Sequence, residues 1–538
     1  MVLSRRSLVG LVLAAMTVLS LAGAASAQSG SIPPGPATTL PAYTGAPAKA
    51  HPTSNSRVPQ NPYLWPNPFN TVHMDPWNSD VVDIAGPLGR DPIVLTSTLA
   101  DGRRDPSSPM FECTGMTFTG HGNIIASCFG VAEASVVLLD ADTLEVYDTE
   151  LLPAATPKDE NDRGNSTLIN ALSASYILVD KDGRFFNTIK DGSANKIVSF
   201  VEGGTEAHPT LERDYQHEYD LSPWVPANNR VQGLNMDWQG RIWFYLSGST
   251  ATATTPAVGG AIYVLDPATY PAPDSVKFYQ FGDDEQVRNS LALTKEGAAY
   301  IVTPKKMYRF DLDATGTPYP VWGTEYKNSG RFKPGQYNAG SGTTPTILGN
   351  GKYVAITDND EPNMHVVVYR TEKQRDPDKQ TVCTVPVFEY AKGGALDNSL
   401  IGYANSMIVE NNYGYVADFV TFKATDSEPG FERIDIDPNG KGCTKIWVNQ
   451  EVRSTTSGKL STRTGLIYLY ERKYDVQNAV WAYYWTALDF RTGKVVWQKM
   501  AGTGFEKYDS SWPPLVVGPN EALYVGLFGG FASIRDGN

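Results

Sequence analysis

The chain has 538 residues, with 45 Lys and Arg against 58 Asp and Glu, and a formal net charge of −13. An acid surplus on this scale argues against nucleic acid as a partner, because phosphate binding needs a basic face, and against docking on anionic lipid. The length could hold several ordinary domains, yet repeat architectures grow by adding like units and need no split.

Residues 1–27 read as a signal peptide. Arg5 and Arg6 form a charged start, Leu8 to Leu21 is an apolar run too short to prefer spanning a bilayer, and Ala25-Ser26-Ala27 is a small-residue cleavage site. Ser4-Arg5-Arg6-Ser7-Leu8 also resembles a twin-arginine signal, with an ordinary secretory signal as the alternative. Either predicts export, periplasmic or secreted. No cysteine follows the cleavage site to carry a lipid anchor, and no later run is apolar enough for a membrane span. Residues 28–56, rich in Pro, Ala, Thr, Ser and Gly, predict a flexible leader. Residues 57–90 carry Trp65, Phe69 and Trp77 among prolines and predict an ordered arm wrapped on the domain.

From residue 91 to 538, short apolar or alternating runs recur between Gly, Asn, Asp and Pro turns, the pattern of an all-β protein. Aromatic and β-branched residues dominate them, as in Tyr353-Val354-Ala355-Ile356-Thr357. Phe111 to Phe118 and Asn123 to Phe129 read as a hairpin turning at Gly120-His121-Gly122. Folding it about Gly120 and His121 sets Cys113 opposite Cys128, and an oxidising compartment predicts a disulfide there. Cys383 and Cys443 are the remaining pair of an even count; each opens a similar strand in a different repeat.

A degenerate unit repeats along this region: a strand ending in Asp, a turn with Thr or Gly, then a strand often holding Trp. It occurs at Leu139-Asp140, Leu265-Asp266, Phe310-Asp311 with Trp322, and Ile436-Asp437 with Trp447. The fullest copy is Ala487-Leu488-Asp489-Phe490-Arg491-Thr492-Gly493-Lys494-Val495-Val496-Trp497. Asp and Gly suit a tight hairpin, and Trp can fill the space between neighbouring sheets. This copy resembles the tryptophan-docking repeat of the quinoprotein (PQQ-dependent dehydrogenase-like) β-propellers. The resemblance implies a β-propeller, and counting the strand units gives a single ring of about eight four-stranded blades, with seven as the alternative and the strand around Pro92 to Leu99 closing the last blade.

In a propeller, the loops leading into each innermost strand and those joining second to third strands share one face. Arg288-Asn289-Ser290, Ala404-Asn405-Ser406 and Asp509-Ser510-Ser511 read as such lead-ins, with looser versions at Arg453-Ser454-Thr455, Gly342-Thr343-Thr344 and Asn165-Ser166-Thr167. Asp397-Asn398-Ser399 repeats the same words just upstream of the sixth unit. Asn, Ser and Thr would then ring the channel mouth. Asn289 and Asn405, with charge from Glu285, Asp358 and Asp360, form a candidate calcium site, since calcium prefers neutral and carboxylate oxygens. Turn capping explains the same Asn and Ser residues without a metal. Histidine is scarce, six in all. His208 and His217 share one polar stretch that reads either as a lid with an acid/base pair or as an exposed loop.

Three functional readings follow, each with a small-molecule or protein partner unnamed. The resemblance implies a quinoprotein-like oxidoreductase, with PQQ as cofactor; against it, the adjacent cysteines and the Cys-x-x-Cys-His of many such enzymes are missing. The Asn/Ser ring is similar to that of calcium-dependent lactonases of the gluconolactonase type, which usually have six blades. The third reading is a non-catalytic binding propeller.

Overall fold

Folding the first hairpin about Gly120 and His121 does bring the two cysteines face to face. In the computed structural model, Cys113 pairs with Cys128 across Phe111–Phe118 and Ile124–Gly130, and a disulfide joins them. The structure describes residues 30–53, 58–100, 111–155, 175–227, 229–249, 256–418 and 423–537. Residues 1–27, read as a signal peptide, and Asn165-Ser166-Thr167 lie outside the described residues.

Eight antiparallel blades of four strands follow one another at 111–151, 178–213, 231–280, 292–325, 346–387, 401–449, 459–503 and 516–535. The protein is thus an eight-bladed β-propeller, not a seven-bladed one. The last blade takes its outermost strand, Ile93–Ser97, from the other end of the chain, where it pairs antiparallel with Gly530–Arg535. That closure completes the last blade and joins the two ends of the chain in one sheet.

The repeat unit is legible in atoms. Asp489 Oδ1 accepts the amides of Arg491 (2.9 Å) and Thr492 (3.0 Å), closing the turn between the third and fourth strands of blade seven. Asp140 does the same for Asp142 and Thr143 in blade one. The tryptophans that follow dock on the next blade: Trp322 Nε1 donates to Thr371 O (3.0 Å) and Trp447 Nε1 to Phe490 O (2.9 Å). Gly493 leaves room for this, because a Cβ there would lie 2.4 Å from the Trp447 ring. Trp497 has no such neighbour and packs instead on Gly89 of the N-terminal segment.

Cys383 and Cys443 sit on the outermost strands of blades five and six, Thr381–Val387 and Cys443–Asn449, and their disulfide staples the two rims together. It closes a loop spanning 60 positions. Replacing both by serine is expected to lower unfolding stability by about 2–4 kcal/mol. Denaturant unfolding checks this, and an unchanged midpoint would remove the staple's role.

Three expectations need correction. Residues 30–53 are not a flexible leader. Tyr43–Gly45 pairs with the outer strand of blade seven, Ile32 is buried, and the Thr39 amide and Thr38 hydroxyl both bind Asp475 at 2.7 Å. Backbone pairing is indifferent to the Pro- and Ala-rich composition that suggested flexibility. Blade two runs on to Arg213, so His208 begins its outer strand His208–Arg213 instead of occupying a lid. In blade six the innermost strand is Ile401–Tyr403, which puts Asn405 in the hairpin turn at the opposite face from the lead-in loops.

The arm meets the blades at their innermost strands. Innermost strands present unpaired backbone groups to the channel, and each needs a partner. The arm supplies them blade by blade. Val179 N donates to Asn70 O, Leu293 N to Pro76 O, Ile347 N to Trp77 O, Gly402 N to Ser79 O and Leu460 N to Asp80 O, all at 2.8–3.1 Å. Asn61 Nδ2 reaches Met236 O in blade three, and Phe69 O accepts from Thr117 in blade one. Seven blades are thereby tied to one segment, which closes the channel at one end.

Candidate functional site

The closed channel leaves a cup of about 300 Å³ at the face where the lead-in loops meet. Its floor is Val72 and His73 of the arm, and its wall draws on every blade, from Thr114 of blade one to Trp512 of blade eight. Asn289, Thr344, Asn398, Ser399, Ser457 and Ser511 give the Asn/Ser/Thr lining that the lead-in loops predicted. A larger cavity of about 450 Å³ lies at the other face, between the arm and the turns of blades five and six. Histidine and arginine are absent from its lining, whereas the cup gathers His73, Arg288, Asp397, Tyr176, Tyr337 and Trp512. The cup is therefore the candidate site.

His73 is held from behind. Its Nδ1 lies 3.2 Å from Asp80 Oδ2 and 2.9 Å from Ser399 Oγ, and the Ser399 hydroxyl itself donates to Asp80. Asp80 Oδ1 accepts from Lys459 Nζ at 2.5 Å. Burial would raise the Asp80 carboxyl, but Lys459 and His73 outweigh it and hold Asp80 below the ordinary carboxylate range. An ionised Asp80 accepts only, so the imidazole carries its proton on Nδ1. Nε2, which makes no hydrogen bond among the described residues, keeps its lone pair at the cup floor. The turn that presents this pair is strained: Met74, Asn78 and Asp80 all have positive φ.

On the wall, burial outweighs a backbone hydrogen bond from Tyr337 and pushes the Asp397 carboxyl up to about 8, and its Oδ1 has no hydrogen-bond partner among the described residues. Trp512 adopts φ 67°, wedged between the Tyr337 and Tyr415 rings at 4.5 and 4.9 Å, with its Nε1 unpartnered. Just outside the cup, burial raises Glu410 and Asp75 to about 7 each, despite hydrogen bonds from Asn398 and Asn412 to the first and from Ser79 to the second.

These three acids fix a pH dependence. Each folded-state value lies above the unfolded value of about 4. Their stabilising contribution is complete below pH 4 and is lost as pH rises through 7 to 8. The thermal midpoint is expected to be higher at pH 5 than at pH 8. A midpoint that is level or rises over that range contradicts the burial of these carboxyls as acids.

The residues read as a calcium set are not brought together. Asn289 lines the cup and donates to Ser341 O (3.0 Å). Glu285 is buried and accepts from Tyr308 at 2.9 Å. Asn405 borders a cavity at the opposite face. Asp358 and Asp360 do meet in the loop between the second and third strands of blade five, with His365, their candidate ligand atoms within 4.8 Å. That group is already balanced, since His365 Nδ1 lies 2.8 Å from Asp358 and Lys327 Nζ 3.1 Å from Asp360. It lines no part of the cup. His208 is exposed on the outer strand of blade two, and His217 pairs with Asp214 at 2.7 Å in the turn beyond it. His73, Asp80 and Lys459 escaped the sequence reading; a histidine with two aspartates inside His73-Met74-Asp75-Pro76-Trp77-Asn78-Ser79-Asp80 was the available signal.

Among known proteins, no family model matches the chain. An uncharacterized protein of Archaeoglobus fulgidus is 23% identical over 365 residues, spanning 63% of this chain, which covers 66% of that protein's length. Among solved structures, the periplasmic gluconolactonase of Pseudomonas aeruginosa aligns over 75% of this chain and 97% of its own at 12% identity and TM-score 0.39. A functionally unknown protein from Desulfotomaculum acetoxidans aligns over 70% and 96% at 9% identity and TM-score 0.37. At these scores no residue role is transferred. No helix among the described residues is long and apolar enough to cross a membrane.

Proposed function

We propose that this is an exported hydrolase of small hydroxylated lactones, acting in the cup with His73 as general base. The observation that carries it is the His73–Asp80 pair, anchored at Nδ1 and open at Nε2, on the floor of a polar cavity closed behind. In the reaction, Nε2 takes a proton from water, and the water oxygen attacks the lactone carbonyl carbon. The ring C–O bond then breaks, and the leaving oxygen recovers the proton from the imidazolium, releasing a hydroxy acid. Asp80 stabilises the transient imidazolium, and the amide and hydroxyl groups of Asn289, Asn398 and Ser457 hold the substrate hydroxyls. Export is supported by the N-terminal sequence and by two disulfides.

The quinoprotein reading fits less well. The tryptophan-docking repeat is accounted for by inter-blade hydrogen bonds, and a tricarboxylate quinone would meet only one guanidinium, Arg288, among the described lining residues. The test is proton release from a panel of five- and six-membered sugar lactones with the purified protein. Turnover well above the uncatalysed rate supports the reading; no turnover of any member overturns it.

A further inference from the structure

We propose that the molecule held in the cup carries an oxyanion group, a carboxylate or phosphate, received by Arg288. This rests on the cup being the substrate site and names the substrate's charge. Arg288 belongs to the loop leading into blade four, with its backbone carbonyl fixed by the Tyr245 hydroxyl at 2.9 Å. It is part of the cup lining, and no carboxylate forms an ion pair with it among the described residues. Burial pushes the guanidinium below its ordinary value, opposed by the Tyr245 phenol and by no carboxylate. A largely buried, unpaired guanidinium is costly, and ligand binding is where such a cost is recovered.

The remaining lining sharpens this. Among the described lining residues the one carboxyl that could cancel Arg288 is Asp397, and, pushed up to about 8 by burial, it is mostly protonated at neutral pH. A chain of net charge −13 thus places an uncancelled cation in the cup. Arg230, just before the innermost strand of blade three and outside the cup lining, is a second guanidinium shifted by burial. Burial lowers it to about 10, and its Nε has no hydrogen bond. Planar guanidinium donors match the two oxygens of a carboxylate or phosphate, whereas a neutral polyol would leave the charge unmatched.

The experiment is titration calorimetry at pH 7 and 0.15 M salt with D-gluconate, 6-phosphogluconate and neutral sorbitol. The two acids distinguish a carboxylate from a phosphate source. At least one acid is expected to bind tenfold or more tighter than sorbitol. Arg288→Gln is expected to remove that difference and Arg288→Lys to restore part of it, both with unchanged circular dichroism and melting. Equal binding of sorbitol, absence of acid binding, or undiminished acid binding by folded Arg288→Gln overturns the proposal. Arg288-dependent acid binding without turnover of any lactone would sink the hydrolase reading alone. Turnover indifferent to substrate charge would sink this proposal alone.

Discussion

His73→Gln is expected to lower kcat for lactone hydrolysis by about 10²–10⁴-fold, the range a positioned general base contributes. The amide can still touch Asp80 and Ser399, so the floor of the cup keeps its volume, but no basic nitrogen faces the substrate. Binding of a non-reacting polyol is expected to persist, and the melting temperature to shift little. The loss therefore appears in kcat rather than KM, which separates proton transfer from packing. The pH profile adds a second readout, because the wild-type limb that reports the imidazole disappears in the variant. Retention of wild-type kcat by a folded His73→Gln protein would remove His73 from the chemistry and leave the cup a binding site.

What sequence reveals and what it hides follow from the range of the interactions. The Asp-Thr-Gly turns are local: Asp489 caps amides two and three residues on, so the blade count can be read from the spacing of such words. The Cys113–Cys128 pairing is legible for the same reason, since a hairpin's register follows from its turn. Blade six misleads because its innermost strand is only Ile401–Tyr403, flanked by the near-identical words Asp397-Asn398-Ser399 and Ala404-Asn405-Ser406. The second copy has the look of a lead-in, but it is the first one that lines the cup. The arm hides more. Apart from the two-residue strand Val81–Val82 beside blade seven, it pairs with the blades through isolated backbone hydrogen bonds, which impose no periodicity on its side chains. The partners of His73 also lie far along the chain, at Ser399 and, through Asp80, at Lys459. Arg288 stands inside a motif whose Asn and Ser draw the eye; its lack of an ion pair is visible only in three dimensions.

Lys459→Met is expected to cost about 3–5 kcal/mol of stability, because it leaves Asp80 as an uncompensated buried charge. The wild-type pair contributes far less than that figure. Burial opposes both charges; for Asp80 the pairing outweighs it, whereas for Lys459 burial prevails and the ammonium is pulled below its ordinary value. The linkage has a definite sign. With its depressed folded-state value, Asp80 contributes stability that is present above the ordinary carboxylate range and lost as pH falls through the depressed value. Without Lys459 that protection weakens, and the variant is expected to be most deficient at neutral pH and less so below about pH 4. The double variant Lys459→Met with Asp80→Asn removes both charges and is expected to recover much of the loss, since an uncharged pair of similar volume carries no Born cost. It is not expected to recover hydrolysis, because a neutral amide at position 80 no longer fixes the His73 proton on Nδ1. Denaturant unfolding at pH 4 and pH 7, run beside the lactone assay, reads both outcomes. Single and double variants equally unstable would show that Lys459 acts through packing alone, and the link between the ion pair beneath the cup and the imidazole above it would fail.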